Sequence, residues 1–299
     1  LLVELIKPEI GERWHDPASG YSGFLVEIDK YLRESSGNYQ RLSEDEKLFQ
    51  LTEALSGMEI QEEVAQIGFC NTRFHGLQSE VRTGNSLTTT DYQQYDGIVC
   101  EPPLPVYTLA GRSKYGNSNR NRQTDFVELI INSLSLQPES RAALLLPENF
   151  LSKSSADYRH ARKRLFEDCF LHTILRLPQG IYPNSTISMC ALFLKRQRGL
   201  DENVLLYDMQ SGNGKQEQMQ DISAFNDFIR IFHSRIVDRR SKIVALDSLR
   251  AEDYRITFDG GEEQEKKQMG TPMQHLTEAN KVVRDIRSLL SRIEREVND

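Results

Sequence analysis

Acidic and small residues of this sequence cluster where a short strand-like segment gives way to a turn. Asp16 ends the first such segment, and the turn that it opens reads Asp-Pro-Ala-Ser-Gly-Tyr-Ser-Gly-Phe. The candidate ligand-binding residues of this turn are Asp16, Pro17, Ala18, Gly20, Gly23 and Phe24. Glycines let the backbone approach a ligand closely, and a carboxylate can bind a cationic group. Alone, such a turn is more typical of a purely structural loop.

Polar residues also end or follow the next three strand-like segments. Glu59 ends the second segment, where an acidic residue commonly accepts hydrogen bonds from the two hydroxyls of a ribose. Asn85 follows the third, where a side-chain amide can meet an adenine ring. The fourth ends in Glu101–Leu104, whose two prolines fix the backbone and project carbonyl groups rigidly. Taken singly, these features are typical of a surface glutamate, a turn asparagine and a rigid loop.

Strand-like and helix-like segments alternate over most of the chain. The predicted strands are 13–16, 56–60, 80–82, 95–100, 142–146, 171–177, 187–195 and 204–208, and the predicted helices 23–34, 61–75, 125–136 and 156–168. This alternation predicts an α/β fold with a doubly wound, mainly parallel sheet, in which ligands bind at the carboxyl ends of strands. A short turn before 204–208 predicts antiparallel pairing at the end of the sheet. Polar residues 111–123 predict a mobile loop.

The C-terminal residues differ in kind from the α/β region. Residues 260–270 are charged and contain glycine, which predicts a linker, and Thr271-Pro272 is typical of a helix start. Apolar residues then recur at alternating spacings of three and four: Leu276, Ala279, Val283, Ile286, Leu290, Ile293 and Val297. This seam predicts a coiled-coil helix that binds a partner, or else a helix that folds back on its own domain. We therefore divide the chain into a catalytic α/β domain 1–210, an accessory helix and strand region 211–259, and a linker with a C-terminal coiled-coil helix 260–299.

Charge and cysteine content restrict the class of protein. The net charge is −7, so a protein of this composition that works on DNA needs a partner to supply much of the positive charge. The basic run Arg159–Arg164 either contacts phosphates or forms a solvated helix face. The four cysteines form no C-x-x-C pair, which favours reduced thiols over a metal site or disulfides. Without an apolar run of about 18 residues or a signal sequence, we expect a cytoplasmic protein without membrane spans.

In this order and at these intervals the motifs resemble those of the N-6 adenine-specific DNA methyltransferases, in particular the modification subunits of type I restriction-modification systems. The family's Asp-Pro-Ala-Cys-Gly-Thr-Gly-Gly-Phe-like loop is matched by Asp16–Phe24, and its Gly-x-Glu by Gly57–Glu59. Its Gly-Asn-Thr-Leu-like turn is matched by Gly84–Leu87 and its Asn-Pro-Pro-Phe loop by Glu101–Leu104. Residues 74–76, 146–151, 158–165 and 175–182 resemble further family segments, so the resemblance covers almost the whole chain.

The resemblance implies a Rossmann-like class I methyltransferase fold that binds S-adenosylmethionine through Asp16–Phe24, Glu59 and Asn85. It also implies that a flipped adenine enters the loop of Glu101, Pro102, Pro103 and Leu104. In the family, the amide and the first proline's carbonyl bond the exocyclic amine, and the aromatic ring stacks on the base. The implied partners are DNA, a specificity-type subunit bound through the coiled coil, and a restriction subunit. Family members also carry a helical domain ahead of the cofactor loop, which we expect outside this sequence, encoded separately or lost.

Both halves of the implied site depart from the family pattern. Glu101 is one methylene longer than the usual Asn, and a misplacement of about 1 Å can cost roughly a hundredfold in rate. Leu104 replaces Phe and forfeits base stacking worth about 1–3 kcal/mol. Tyr21 and Ser22 replace Thr and Gly, so we expect a phenol and an added Cβ to crowd the methionine part of the cofactor.

These departures leave two main hypotheses for the function. In the first, the chain is a catalytically impaired methyltransferase that acts as a structural or DNA-binding subunit of a restriction-modification or phage-defence complex. In the second, it is an active adenine methyltransferase that tolerates Glu101, because a carboxylate also accepts a hydrogen bond from an amine. A Rossmann-type enzyme for another nucleotide is disfavoured, because it has no use for the Glu-Pro-Pro loop.

Overall fold

The structure is a computed structural model of the 299-residue chain. It describes residues 1–88, 94–104, 122–178, 180–181, 187–197, 203–210 and 225–258. Residues Leu1–Ile256 form one compact unit. The predicted linker, the predicted coiled coil and most of the predicted loop 111–123 lie outside the described residues, and the division of the chain at residue 210 stays a prediction.

One nine-stranded sheet organises the described residues. Its strands are β1 (Trp14–Asp16), β2 (Leu55–Glu59), β3 (Glu80–Thr83), β4 (Gly97–Cys100), β5 (Arg141–Pro147), β6 (Phe170–Arg176), β7 (Met189–Lys195), β8 (Asn203–Asp208) and β9 (Ser241–Ala245). They are ordered β3-β2-β1-β4-β5-β7-β6-β8-β9. The strands from β3 to β5 pair in parallel, as do β6 and β8. The predicted α/β, mainly parallel sheet is confirmed.

Antiparallel pairing occurs at two places in the sheet. β7 lies between β5 and β6 and is antiparallel to both, and the edge strand β9 is antiparallel to β8. The antiparallel pairing expected around residues 204–208 is therefore present, but it involves β9. β8 itself runs parallel to β6 because β7 has already reversed the chain direction.

Helices flank the sheet. They are α1 (Leu2–Ile6), α2 (Gly23–Ser36), α3 (Glu44–Thr52), α4 (Glu62–Phe74), α5 (Arg122–Ser133), α6 (Ala156–Glu167), α7 (Asn226–Ser234) and α8 (Leu246–Ala251), with a 3-10 turn at Glu148–Leu151. The four predicted helices correspond to α2, α4, α5 and α6. The expectation of a loop up to residue 123 is wrong at its end, because Arg122 and Gln123 already belong to α5. None of the described helices is long and apolar enough to cross a bilayer.

The first strand is fixed in place by the single tryptophan of the sequence. Trp14 is fully buried, and its ring lies so close to Gly97 that a Cβ there would be 2.3 Å from the ring atoms. Its indole Nε1 donates to Glu12 at 2.9 Å, and the Arg141 guanidinium lies 5.1 Å from the ring centroid. Arg141 also pairs with Glu12 at 2.7 Å. These contacts join β1 to β4 and β5, and so set the register that carries Asp16 to the carboxyl edge.

Candidate functional site

The turns after β1, β2, β3 and β4 meet at the carboxyl edge of the sheet, because these strands are parallel neighbours. The turn after β1 lies at the centre and bonds to the others. Ser19 N donates to Met58 O at 2.9 Å, and Ser86 Oγ donates to Pro17 O at 2.6 Å. In the turn after β4, the negative charge of Glu101 contributes to the raised pKa of Asp16. The structure thus brings together the four segments that carry the predicted site residues.

Asp16 is the buried acid of this edge. Its side chain is only 2 % exposed, and Oδ1 accepts a hydrogen bond from Ala18 N at 3.0 Å. Burial raises the pKa of Asp16 to about 8, the negative charges of Glu101 and Glu59 add to the rise, and the Ala18 N–H opposes it. A cationic ligand would favour the ionised form, so this edge is electrostatically suited to a positively charged group.

Glu59 holds the turn after β1 against the start of α4. Its Oε2 accepts from Gly20 N at 3.1 Å, and its Oε1 accepts from Gln61 N at 3.0 Å. An ionised carboxylate offers about four acceptor sites. Glu59 can therefore keep both backbone contacts and still accept the two hydroxyls of a ribose.

Asn85 shapes the turn after β3. Its Oδ1 accepts from Leu87 N at 3.0 Å, and its backbone carbonyl accepts from Thr88 N at 2.9 Å. This arrangement uses the acceptor of the side chain and leaves its two N–H donors for a ring nitrogen. The residue is half-buried beside Ser86, whose hydroxyl reaches the turn after β1.

The turn after β4 presents an acid and an aliphatic group. Glu101 and Pro103 are half-buried, and Pro102 is buried. The charge of Glu101 contributes to the raised pKa of Asp16. Burial is the largest cause of the raised pKa of the Cys100 thiol, and the charge of Glu101 adds to it. Leu104 is half-buried and packs against the main hydrophobic core. At the position where the family motif has Phe, a half-buried aliphatic side chain therefore packs against the core.

The structure shows where the Ser22 side chain lies, while the crowding of the cofactor expected from Tyr21 and Ser22 stays a prediction. Ser22 is fully buried. A Cβ built on Gly68 of α4 would lie 2.7 Å from Ser22 Oγ, so the hydroxyl points toward that helix. Tyr21 is 60 % exposed. Of the remaining turn residues, Gly20 has a positive φ of 51°, while Gly23 begins α2 and Phe24 packs against the core.

Residues that let the turn pack closely were not found from the sequence. A Cβ on Gly57 of β2 would lie 2.8 Å from Ser19 Cβ, so glycine is required for the turn to sit on this strand. His15 lies behind the turn, with Nδ1 2.8 Å from Ser56 Oγ and its ring stacked on Tyr95 at 4.4 Å. Burial lowers the pKa of His15 to about 4. A glycine within a strand pattern was the available signal for Gly57.

The basic run on α6 is largely engaged within the protein. Arg159 pairs with Asp253 at 3.2 Å, and the buried Arg162 donates to Phe150 O at 2.9 Å. Arg164 pairs with Glu128 and also with Asp168, the latter at 2.6 Å. These partners favour the structural explanation of the run over phosphate binding.

The sheet and its edge define the class of protein: the fold is that of class I S-adenosylmethionine-dependent methyltransferases. The crystal structure of the M protein of the type I restriction enzyme EcoKI matches with a TM-score of 0.75 and 22% identity, over 95% of this chain and 71% of that one. A putative class I S-adenosylmethionine-dependent methyltransferase from Listeria monocytogenes matches with a TM-score of 0.55 and 13% identity, over 78% and 67%. The predicted fold is confirmed.

The chain belongs to the N-6 DNA Methylase family, whose model matches residues 1–269. It is similar to the methylase subunit of the type I restriction enzyme StySPI from Salmonella potsdam, with 28% identity over 229 residues. That alignment covers 70% of this chain but 42% of the relative, so the chain spans less than half the length of this curated relative. The predicted family is confirmed.

Proposed function

We propose that this chain is the methyltransferase region of a type I modification-subunit-like protein that binds S-adenosylmethionine but transfers methyl groups to adenine N6 poorly. In this proposal it acts as a structural, DNA-binding subunit of a restriction-modification or phage-defence complex. The observation that carries the proposal is the edge formed by Asp16, Glu59 and Glu101, which suits a cationic nucleoside, beside a base loop that lacks an aromatic ring.

The cofactor half of the edge fits S-adenosylmethionine. Glu59 would accept the ribose hydroxyls, Asn85 would donate to the adenine, and the turn from Asp16 to Phe24 would hold the methionine part. When bound, the cofactor supplies a methyl group activated by a positively charged sulfonium. The raised pKa of Asp16 supports this assignment, because an acid crowded by other carboxylates is relieved by a nearby cation.

The base half of the edge is where methyl transfer would be limited. Glu101 can accept a hydrogen bond from the exocyclic amine, but its extra methylene displaces the acceptor from the position of an Asn oxygen. Leu104 packs against the core and offers no π face, so a flipped base would lose stacking worth about 1–3 kcal/mol. We therefore expect binding of the target base to be impaired while binding of the cofactor is retained.

An active adenine methyltransferase is the second candidate, and the burial of Ser22 favours it. The cofactor turn accommodates this residue by turning its hydroxyl toward Gly68, away from the cleft. One of the two departures from the family pattern in that turn is therefore packed against α4. Tyr21, Glu101 and Leu104 are the departures that remain.

Partners follow from the family and from the charge. The relative from Salmonella potsdam is named as a methylase subunit of a type I restriction enzyme, so we propose DNA, a specificity-type subunit bound through the predicted coiled coil, and a restriction subunit. The net charge of −7 and the paired arginines of α6 support a partner that supplies much of the DNA contact. Unpaired cysteines suit a reducing cytoplasm.

The test separates cofactor binding from methyl transfer. The full chain is titrated with S-adenosylmethionine by calorimetry, and transfer of a labelled methyl group to DNA is measured with the specificity subunit present. We expect saturable binding with little transfer. Robust turnover by the unmodified chain would end the proposal of impairment, and absence of binding would end the cofactor assignment.

A further inference from the structure

Gly68 occupies an unusual place for a glycine, the middle of the helix α4. Glycine is less favourable than alanine inside a helix, so its presence here calls for a packing reason. A Cβ on Gly68 would lie 2.7 Å from Ser22 Oγ and 2.8 Å from the backbone oxygen of Gly20. Real Cβ atoms do not approach other atoms this closely, so the turn after β1 would have to move.

Ser22 is the counterpart of Gly68 in the turn. It is fully buried and adopts the left-handed conformation, with φ 61° and ψ 29°, at the residue that precedes α2. This conformation favours glycine, because a Cβ crowds the backbone there. Its hydroxyl has no hydrogen-bond partner among the described residues. The missing Cβ of Gly68 thus makes room for a side chain that the turn would not ordinarily carry.

α4 holds the turn at a second point. Asn71, one helical turn beyond Gly68, donates from Nδ2 to the backbone oxygen of Tyr21 at 2.8 Å. The helix therefore contacts three successive residues of the turn, Gly20, Tyr21 and Ser22. This contact positions the backbone of the turn rather than any reacting atom.

The position of Gly20 connects this contact to the site. The same residue whose oxygen lies against Gly68 donates its N–H to Glu59 Oε2 at 3.1 Å. A shift of Gly20 away from α4 would break or lengthen that hydrogen bond. It would also move the turn relative to Asp16, which lies four residues earlier in the chain.

We propose that Gly68 is a positioning residue for the cofactor turn, and that Ser22 and Gly68 are a matched pair in which the missing Cβ of one accommodates the hydroxyl of the other. The inference rests on the proposed binding of S-adenosylmethionine. It assigns to α4 a role in setting cofactor affinity through Gly20 and Glu59.

A double-mutant cycle on the full chain tests the pair. Gly68→Ala, Ser22→Ala and the double variant are compared by calorimetric titration with S-adenosylmethionine and by thermal unfolding without ligand. Gly68→Ala is expected to weaken binding by at least about tenfold, because it displaces Gly20. The loss should be smaller in the Ser22→Ala background, where the nearest atom is gone, but not abolished, because the contact with Gly20 O remains.

Two further variants keep the test decisive. Ile67→Ala alters an exposed neighbour on α4 and should bind within about twofold of the unmodified chain. Asn71→Ala loosens the turn without adding bulk, and should weaken binding even if Gly68→Ala does not fold. Equal binding by Gly68→Ala and Ile67→Ala, or by Asn71→Ala and the unmodified chain, overturns the positioning role. If Gly68→Ala reduces the affinity equally in the unmodified and in the Ser22→Ala background, the pairing of Ser22 with Gly68 is overturned.

The inference and the proposed function fail in different ways. If the unmodified chain binds no S-adenosylmethionine, the proposed function and the positioning role both fall. The unfolding temperatures of the single and double variants still test the contact between Ser22 and Gly68 in that case. Non-additive changes in unfolding temperature support the contact, and additive changes overturn it.

Discussion

The backbone N–H of Gly20 lies 3.1 Å from Glu59 Oε2 and donates a hydrogen bond to it. This bond joins the turn after β1 to the end of β2, and the other oxygen of Glu59 accepts from Gln61 at the start of α4. A single carboxylate therefore fixes both the turn and the helix that packs on it. Replacing it is expected to disturb the shape of the turn as well as to remove an acceptor for a ribose.

The pH dependence of stability tests the buried state of Asp16. Its folded pKa of about 8 lies above the ordinary carboxyl value, so the folded protein binds a proton that the unfolded chain has released at neutral pH. The stabilisation from this group is complete below about pH 4 and is lost as the pH rises through about 8. The measurement is urea unfolding at several values between about pH 7 and 8, where histidines contribute little.

Asp16→Asn should remove this pH dependence. Asn keeps an oxygen for Ala18 N and carries no charge, so the variant is expected to be more stable than the unmodified chain by roughly 1–3 kcal/mol near pH 8. Its unfolding free energy should also change less over the same range. Parallel curves for the two proteins would show that Asp16 titrates normally.

Ser22→Gly should stabilise the protein. The substitution relieves a left-handed serine and removes a buried hydroxyl without a partner, so we expect the free energy of unfolding to rise by about 0.5–1 kcal/mol. The matched control is Ser35→Gly in the last turn of α2, which should destabilise by a few tenths of a kcal/mol or more. A loss of stability in Ser22→Gly would contradict the left-handed conformation.

Gly97→Ala should strongly destabilise the sheet. The added Cβ would lie 2.3 Å from the Trp14 ring, so β1 and β4 would have to separate, at a cost of about 2–3 kcal/mol or more. Chemical denaturation followed by the fluorescence of Trp14, the single tryptophan, reports the change. In the control Gly84→Ala, the atom nearest to the new methyl would be Met58 Sδ, at an ordinary contact distance of 3.4 Å. Similar stabilities for the two variants would refute the packing of Trp14 on Gly97.

Reversion of the base loop should restore methyl transfer. Glu101→Asn with Leu104→Phe returns the amide and the stacking ring, and the ring alone is worth about 1–3 kcal/mol of base binding. We expect the double variant to transfer methyl to DNA at least about tenfold faster than the unmodified chain, with unchanged affinity for S-adenosylmethionine. Single-turnover transfer with the specificity subunit measures this. An inactive double variant that binds the cofactor would place the impairment elsewhere.

The sequence predicted the elements that carry the site because strand-like segments alternate with helix-like ones, and each strand from β1 to β4 stops at a turn that contains polar residues or proline. It did not predict α3, although Ser43 and Glu46 form a capping box there, with Glu46 N donating to Ser43 Oγ at 3.3 Å. The direction of the Ser22 side chain was not predictable. It depends on a left-handed backbone and on Gly68, a residue distant in sequence that approaches only in the folded chain.

The packing of Leu104 was not predictable from the sequence either. Sequence comparison with the family indicates the loss of a ring, but only the fold reveals that the replacement packs against the main core. The roles of Gly57 and Gly97 likewise depend on which residue of a neighbouring strand or turn lies opposite each glycine. Such contacts depend on which strands, distant in the chain, become neighbours in the sheet, and this pairing exists only in the folded protein.

The most direct test of the whole account is calorimetric titration of the full chain, and of its Glu59→Ala variant, with S-adenosylmethionine. We predict saturable one-to-one binding by the unmodified chain, and a loss of affinity of at least about tenfold in the variant, because Glu59 holds Gly20 and, in the proposed binding mode, accepts hydrogen bonds from the ribose hydroxyls. Absence of binding by the folded, unmodified chain, or equal binding by the two proteins, would contradict the claim that this edge of the sheet is a cofactor site.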